Sequence, residues 1–360
     1  MKQLAHLNLL MEQYFRFVKK LLPGEKGVSK VGFDLTNDSC KYVALTQTGE
    51  SYEIQSWGIR SFEPGNATEA LKHLLHNPDL VSKSPVTSLS GKGTLIRYVD
   101  MPRMSIVDLK KSFSLEVDKY FPFDKDSIYT DCCILDPKSK DKKMAVLIAA
   151  VKKEMVDDRV KTLTSAGFEV QQMTINAIAV ANAFQKLKGG ASASHESEKS
   201  AKAILDIGGT VSNLMILKDR VPRFTRDIFI GSQEVTKRIS NTLGISPDEA
   251  ERLKMEPGDQ LENIYNICES TIANWVSEIR LSLDYFITEK NIQVDELLLT
   301  GGGSMLVGIE TMFEKNLDLK VRTWDILTGV NLAPSLDKET IKKQSPRLAV
   351  AMGLALSQYD

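Results

Sequence analysis

Nowhere does the 360-residue sequence run through the roughly 18 to 20 consecutive apolar residues of a membrane span, and its opening residues lack a signal-peptide core. A cytoplasmic location is the expectation. Neither sign of charge prevails, with 46 Lys and Arg against 47 Asp and Glu, so no general pull toward nucleic acid or anionic lipid is built in. Cysteine is scarce: Cys40, Cys132, Cys133 and Cys268 show no CxxC spacing. Cys132 and Cys133, adjacent on a strand, would point to opposite faces, and a reduced compartment fits. His73 and His76 stand three apart without a third ligand nearby, so they read as surface residues and not as a metal site. The length is enough for two domains and a sizeable core.

What the sequence does contain is a repeated kind of turn. Ala203 to Leu217 (AILDIGGTVSNLMIL) reads as strand, tight turn, strand, with Asp206 closing the first strand and Gly208, Gly209 and Thr210 in the break. An Asp at that place can hold Mg²⁺ through water, and paired glycines let backbone N–H groups close on phosphate oxygens. A plain hairpin without ligand is the alternative. Val31 to Leu45 (VGFDLTNDSCKYVAL) repeats the form with Asp34, and Glu296 to Ser304 (ELLLTGGGS) runs a strand into Gly301, Gly302 and Gly303 before a helical pattern from Leu306 to Asn316. Glycines at a strand-to-helix junction point N–H groups and a helix dipole at an anion or a sugar.

Along the chain, residues 1–30 form a separate piece. Leu4, Leu7, Met11, Tyr14, Val18 and Leu21 make one apolar helix face, ended by Pro23-Gly24. Such a helix rests on its own domain or docks to a partner helix or a membrane surface, the latter helped by Lys19, Lys20, Lys26 and Lys30. Strands and a helix from Thr68 to Leu75 follow. Residues 85–167 read as an inserted strand, helix, strand, strand, helix unit: Pro85 to Tyr98 with a Gly91-Lys92-Gly93 turn inside it, Ser105 to Tyr120, Ser127 to Leu135, Met144 to Val151 and Lys153 to Ala166. Its open sheet edges suit a docking platform. Phe168 to Ile175 is a further strand and Ala177 to Lys186 a helix, and the Gly/Ser-rich charged stretch Gly189 to Ser200 reads as a mobile loop. Helices are predicted over Gly231 to Leu243, Pro247 to Met255 and Gln260 to Lys290, and a last one opens with Ser345 as N-cap and Pro346 at N1.

These motifs, in this order, match the phosphate hairpins and adenosine loop of the actin, sugar-kinase and DnaK superfamily. Together with SFSLEVDKYFPFDKDSIYTDCCIL, FTRDIFIGSQEVTKRI, EAERLK and RLAVAMGLAL, they make residues 28 to 360 resemble the PilM family of type IV pilus assembly proteins. The resemblance implies an α/β, actin-like fold, that is, a duplicated ribonuclease H-like fold with two domains around a nucleotide cleft and an inserted 1C subdomain. It would place residues 31–84, 168–187 and 345–360 in subdomain 1A, 85–167 in 1C, 188–201 in a flexible loop and 202–344 in domain 2, with its 2A and 2B parts. The similar FtsA and GspL families are the alternatives, as a filament-forming ATPase or a secretion-system component. ATP or ADP with Mg²⁺ is the implied cofactor. The implied partner is the N-terminal cytoplasmic peptide of a PilN-type inner-membrane protein, with other pilus platform proteins, a second copy of the chain as a possible homo-oligomer, and no nucleic acid.

The resemblance assigns nucleotide contacts to Asp34, Thr36, Asn37, Asp38 and Lys41 in the first hairpin and to Asp206, Gly208, Gly209 and Thr210 in the second. Glu251 and Lys254 flank the adenine and ribose, or form no more than a surface ion pair, and Gly301, Gly302, Gly303 and Ser304 make the adenosine loop. Mg²⁺ would be held through water by Asp34 and Asp206. The sequence departs from the family in two places. Thr36, Asn37 and Asp38 stand where the family has glycine and small serines, which narrows backbone approach to a phosphate and adds a negative charge near it. Thr174-Ile175-Asn176 replaces acidic residues that could orient a water, so hydrolysis is expected to be very slow or absent and no catalytic residue is assigned. Leu7-Asn8-Leu9-Leu10 also resembles the signature of PilN-type peptides, which would let the N-terminal segment dock on its own chain.

Overall fold

The structure, a computed structural model, describes residues 30–77, 80, 84–137, 142–187 and 200–357. The expected N-terminal helix and its self-docking motif, and the Gly/Ser-rich loop up to residue 199, lie outside these residues. Lys30, Ser200 and Ala201, taken above as linker, instead open strands.

The chain begins with an antiparallel meander, β1 (Lys30–Leu35), β2 (Ser39–Thr48) and β3 (Ser51–Ser61), followed by α1 (Ala67–Lys72) and a 3₁₀ turn, His73–His76. Next come β4 (Val86–Leu89), β5 (Thr94–Pro102), α2 (Ile106–Tyr120), β6 (Ile128–Ile134), β7 (Lys143–Lys152) and α3 (Lys153–Ser165). After β8 (Gln172–Ile175) and α4 (Asn176–Lys186) the pattern restarts with β9 (Ser200–Ile207), β10 (Ser212–Lys218) and β11 (Val221–Ile228). The helices α5 (Ser232–Leu243), α6 (Pro247–Met255) and α7 (Leu261–Lys290) lead to β12 (Gln293–Thr300), α8 (Ile309–Leu317) and β13 (Lys320–Thr323). The closing elements are β14 (Val330–Leu332), α9 (Lys338–Gln344) and α10 (Ala349–Leu356).

Three sheets result: a six-stranded one ordered β14-β3-β2-β1-β4-β8, a five-stranded one ordered β11-β10-β9-β12-β13, and a three-stranded one ordered β5-β7-β6. The two larger sheets share one core. Val43, Leu45, Ile54 and Val86 from the first and Ile204, Met215, Leu217 and Leu298 from the second pack on α4 and α10, which lie between them. That position explains why α10 reads AVAMGLAL and is buried on every side. Gly353 allows the crossing, because a Cβ there would overlap the carbonyl of Ala179 on α4. The outer faces have their own cores. Val31, Phe33, Leu71, Leu163 and Phe168 lie under α1 and α3, and Ile216, Val235, Trp275, Ile279 and Phe313 lie under α5, α7 and α8.

Sheet membership redraws several expected boundaries. The single strand from Pro85 to Tyr98 is two strands in different sheets, because Gly91 and Gly93, at φ +92 and +123, break it. β4 pairs in parallel with β1 and β8 and so belongs to the first sheet. The helix α3 sends Leu163 into the core of that sheet, so the inserted unit narrows to Thr94–Lys152, with Leu109, Phe113 and Val117 of α2 covering one face of it. Likewise β14 pairs with Tyr52 to Ile54 of β3, which moves the stretch after Trp324 to the first half. The strand expected from Phe168 starts only at Gln172. Asp337 caps α9, a helix the sequence reading missed, and Ser345 to Leu348 continues it as a 3₁₀ turn, so Ser345 is not an N-cap. Cys132 is buried and Cys133 exposed, as strand alternation requires.

Candidate functional site

The antiparallel register of β1 and β2 sets Asp34 opposite Lys41, and the Lys41 ammonium donates to Asp34 Oδ2 at 2.9 Å. Burial works to lower the Lys41 pKa, but the charge and hydrogen bond of Asp34 and the charge of Asp206 outweigh it and raise the value. Thr36 closes the turn between the strands. Its N–H donates to Ser39 O at 2.8 Å, its hydroxyl donates to Asp38 Oδ1 at 2.8 Å, and the same oxygen accepts from the Ser39 N–H. Asn37 is exposed at the tip. Behind this hairpin, Arg159 of α3 donates to Ser88 O at 2.7 Å, and its charge reaches both Asp34 and Cys40. Burial, with Asp34 beside it, pushes the Cys40 thiol up to about 12, so it has no thiolate character at neutral pH.

In the second hairpin Asp206 stands opposite Asn213. The turn closes with Gly208 N–H donating to Val211 O at 3.1 Å, and the carbonyls of Gly208 and Gly209 accept from Ser232 and Gln233 at 2.9 Å each. The hairpin therefore takes up the free N–H groups that begin α5. Gly231 must be glycine for this, since a Cβ would overlap the Gly209 carbonyl. Asp206 is 7% exposed; burial first, and Asp34 second, push its carboxyl up to about 7, with Lys41 opposing them.

Parallel pairing of β12 with β9 brings Thr300 level with Asp206 and sets the glycine run beside the second hairpin. Gly301 sits at φ +83, and a Cβ on it would lie 2.6 Å from Asp206 Oδ1 and 2.5 Å from Ile207 O. Only glycine allows that approach. The helix expected from Leu306 starts instead at Ile309, and a 3₁₀ turn, Gly302–Met305, follows the strand. Ser304 turns its hydroxyl back onto Gly301 O at 2.7 Å and braces the loop.

Glu251 and Lys254 are more than a surface pair. Lys254 is 2% exposed and donates to Glu251 Oε2 at 2.6 Å and to Thr236 Oγ1 at 2.9 Å, while Thr236 donates to the same Glu251 oxygen at 2.6 Å. The ammonium points inward and fixes the carboxylate, whose side chain stays 53% exposed.

Asp34, Lys41, Asp206 and Gly301 thus come close together, and Asp38 is tied to the opposite half by Gln233 Nε2, which donates to its Oδ2 at 2.9 Å. Gly209 and Thr210 are exposed at the tip of the second hairpin. Arg347 sits where the glycine loop meets the crevice. Burial lowers its pKa, while Glu251 and then Asp38 push the other way. Arg159, Gln233 and Thr236 are given no role in the sequence reading because their partners are distant in the chain, 195 positions separating Gln233 from Asp38, and Arg347 because only the fold brings its turn to the glycine loop. Cations at Lys41 and Arg347, the exposed Gly209-Thr210 tip and a carboxylate at Glu251 suit an anionic nucleotide in charge. The first hairpin fits less well, since Thr36 and Asp38 fill its turn.

A family model described as type IV pilus assembly protein PilM matches residues 32–359. The chain belongs to the PilM family. A solved PilM-PilN type IV pilus biogenesis complex contains a chain 21% identical to this one, with a TM-score of 0.80 over 92% of this chain and 99% of that one. The ethanolamine utilization protein EutJ from Carboxydothermus hydrogenoformans is 13% identical, with a TM-score of 0.54 over 92% and 90% of the two chains. MreB5 of Spiroplasma citri bound to ADP is 11% identical, with a TM-score of 0.51 over 90% and 94%. These likenesses establish the actin-like ATPase fold. Among the described residues, no helix is long and apolar enough to cross a membrane.

Proposed function

We propose that this PilM-family chain is a cytoplasmic adaptor of the type IV pilus inner-membrane platform. It binds ATP or ADP between its two halves and holds the N-terminal cytoplasmic peptide of a PilN-type protein at its inserted unit. The observation that carries the nucleotide part is the meeting of Asp34, Lys41 and Asp206 beside Gly301, on strands from both large sheets. Asp206, Gly208, Gly209 and Thr210 would face the phosphates with Lys41, Glu251 would accept from ribose hydroxyls, and Gly301 to Gly303 would admit the nucleoside. Asp34 and Asp206 would act on Mg²⁺ through water, for among the described residues no group of three or more His, Cys, Asp and Glu side chains is placed to ligate it directly. Bound Mg²⁺ supplies positive charge that offsets the phosphates and keeps Asp206 ionised.

Ligand contacts to both halves bias their closure, and linkage makes any coupling to the partner reciprocal. The test is calorimetric titration of Mg-ATP and of a PilN-type peptide into the full chain and Asp206→Ala. Wild type should bind Mg-ATP, the variant should bind it more weakly, and peptide affinity should change when Mg-ATP is present. Equal peptide affinity in both conditions defeats the coupling. Steady phosphate release well above the Asp206→Ala background would instead favour an enzyme, since Thr174 and Asn176 offer no carboxylate base near the crevice.

A further inference from the structure

We propose that Thr36, Gln233 and Arg347 form an anion-binding set that the Asp38 carboxylate fills from within, so that a nucleotide phosphate must displace Asp38 to bind. The proposal rests on the nucleotide reading above and adds to it a built-in competitor. A carboxylate and a phosphate present the same chemistry to such donors: charged oxygens that only accept. Asp38 uses both of its oxygens in this way. Oδ1 accepts from the Thr36 hydroxyl at 2.8 Å and Oδ2 from Gln233 Nε2 at 2.9 Å.

The donors are held independently of Asp38. The backbone N–H of Gln233 donates to Gly209 O at 2.9 Å, and its amide nitrogen lies 3.2 Å from where a Gly209 Cβ would be, so the side chain lies along the second hairpin. Arg347 is fixed through the residue before it. Pro346 O accepts from Gly301 N–H at 2.8 Å and from Thr300 Oγ1 at 2.9 Å, which pins this turn to the glycine loop. The Arg347 side chain passes 3.9 Å from a would-be Gly302 Cβ and donates to the neutral Gln344 Oε1 at 3.1 Å. Lys41 and Lys254 are paired with Asp34 and Glu251, at 2.9 and 2.6 Å. Arg347 is therefore bonded to a neutral acceptor, and its charge reaches Glu251 first and then Asp38.

Displacement needs only a side-chain rotation. The backbone of Asp38 is secured by Phe62 N–H donating to its carbonyl at 2.8 Å, and Ser39 N–H donates to Thr36 Oγ1. The hairpin keeps its shape when the carboxylate swings out. Such a competitor favours a ligand with more charge than one carboxylate, which a phosphate group carries at neutral pH.

Calorimetric binding of Mg-ATP to the full chain tests this with Asp38→Asn, Arg347→Gln and the double variant. Asp38→Asn should bind about tenfold tighter than wild type, Arg347→Gln about ten- to a hundredfold weaker, and the double variant in between. Should Arg347→Gln fail to fold, Arg347→Lys gives the same direction with a smaller loss. If wild type binds and Asp38→Asn binds no tighter, or Arg347→Gln binds equally well, the proposal is overturned while the nucleotide reading stands. If neither wild type nor Asp38→Asn binds at millimolar Mg-ATP, the nucleotide reading falls and takes this proposal with it.

Discussion

Tyr98 Oη and Thr225 Oγ1 lie 2.7 Å apart and join the inserted unit to the second half across 127 positions of sequence. The junction has further contacts. The Lys92 ammonium lies 5.6 Å from the centre of the Phe229 ring, and Asp227 accepts from Asn213 Nδ2 at 2.6 Å and from the Gly91 N–H. Because Asn213 is the cross-strand neighbour of Asp206, a short run of hydrogen bonds links the second hairpin to the turn that leads into the inserted unit.

Tyr98→Phe should cost about 1 kcal/mol of unfolding free energy, and Thr225→Val a similar amount. The double variant should cost less than the sum, because the second change removes a group already left without its partner. Urea unfolding of the four proteins reads the coupling. Strict additivity would mean that the two hydroxyls do not interact in solution.

Gly353→Ala and Gly32→Ala should each destabilise by about 3 kcal/mol or prevent folding, since the added methyl meets the Ala179 carbonyl in one case and the Ala351 carbonyl in the other. Gly302→Ala is the control, its nearest neighbour being Arg347 at 3.9 Å. Thermal melts of the three variants distinguish overpacking from a general loss of glycine.

Asp206 gives the ligand-free protein a pH dependence of definite sign. Its folded pKa, about 7, stands above the ordinary carboxyl value of about 4. Below about pH 4 both folded and unfolded chains hold the proton. Between there and pH 7 only the folded chain does, so stability falls as pH rises through that window. Asp206→Asn should match wild type near pH 4 and have the higher melting temperature at pH 8. The reverse order would show that Asp206 is ionised and stabilised by Lys41.

Lys254→Met should lower stability by about 1–3 kcal/mol, for it leaves Thr236 and Glu251 without their shared donor. It should also weaken Mg-ATP binding if Glu251 meets the ribose, because the carboxylate is then held by the Thr236 hydroxyl without the ammonium. Chemical denaturation and calorimetry measure the two effects separately.

Much of this was legible in the sequence, and the limits are physical. Strand alternation and the Asp-turn motifs gave both hairpins, because a hairpin is local and its register brings Asp34 to Lys41 without help from the rest of the chain. Sheet membership was not legible. Nothing local distinguishes β4, a partner of β1, from β5, eight residues further on and in another sheet, except two glycines that also suit a bulge within one strand. The helix α3 looked like part of the inserted unit because its periodicity shows an apolar face but not which core receives it. The site was legible as far as its motifs reached. Gln233 and Arg347 lie inside the FTRDIFIGSQEVTKRI and RLAVAMGLAL stretches, but their place at the site depends on Pro346 meeting Gly301 and on α5 being seated on the second hairpin.

The crossing of α4 and α10 has a consequence for the order in which this protein can be made. Gly32 of β1 lies against Ala351, Leu354 and Ala355 of α10, yet during synthesis β1 is among the first described elements to leave the ribosome and α10 is the last. Until translation reaches α10, the inward face of the opening meander lacks part of the helical layer, α4 and α10, that covers it. The nascent protein therefore waits with part of that apolar surface bare, and folding aids that shield it should matter more to yield than any step after release.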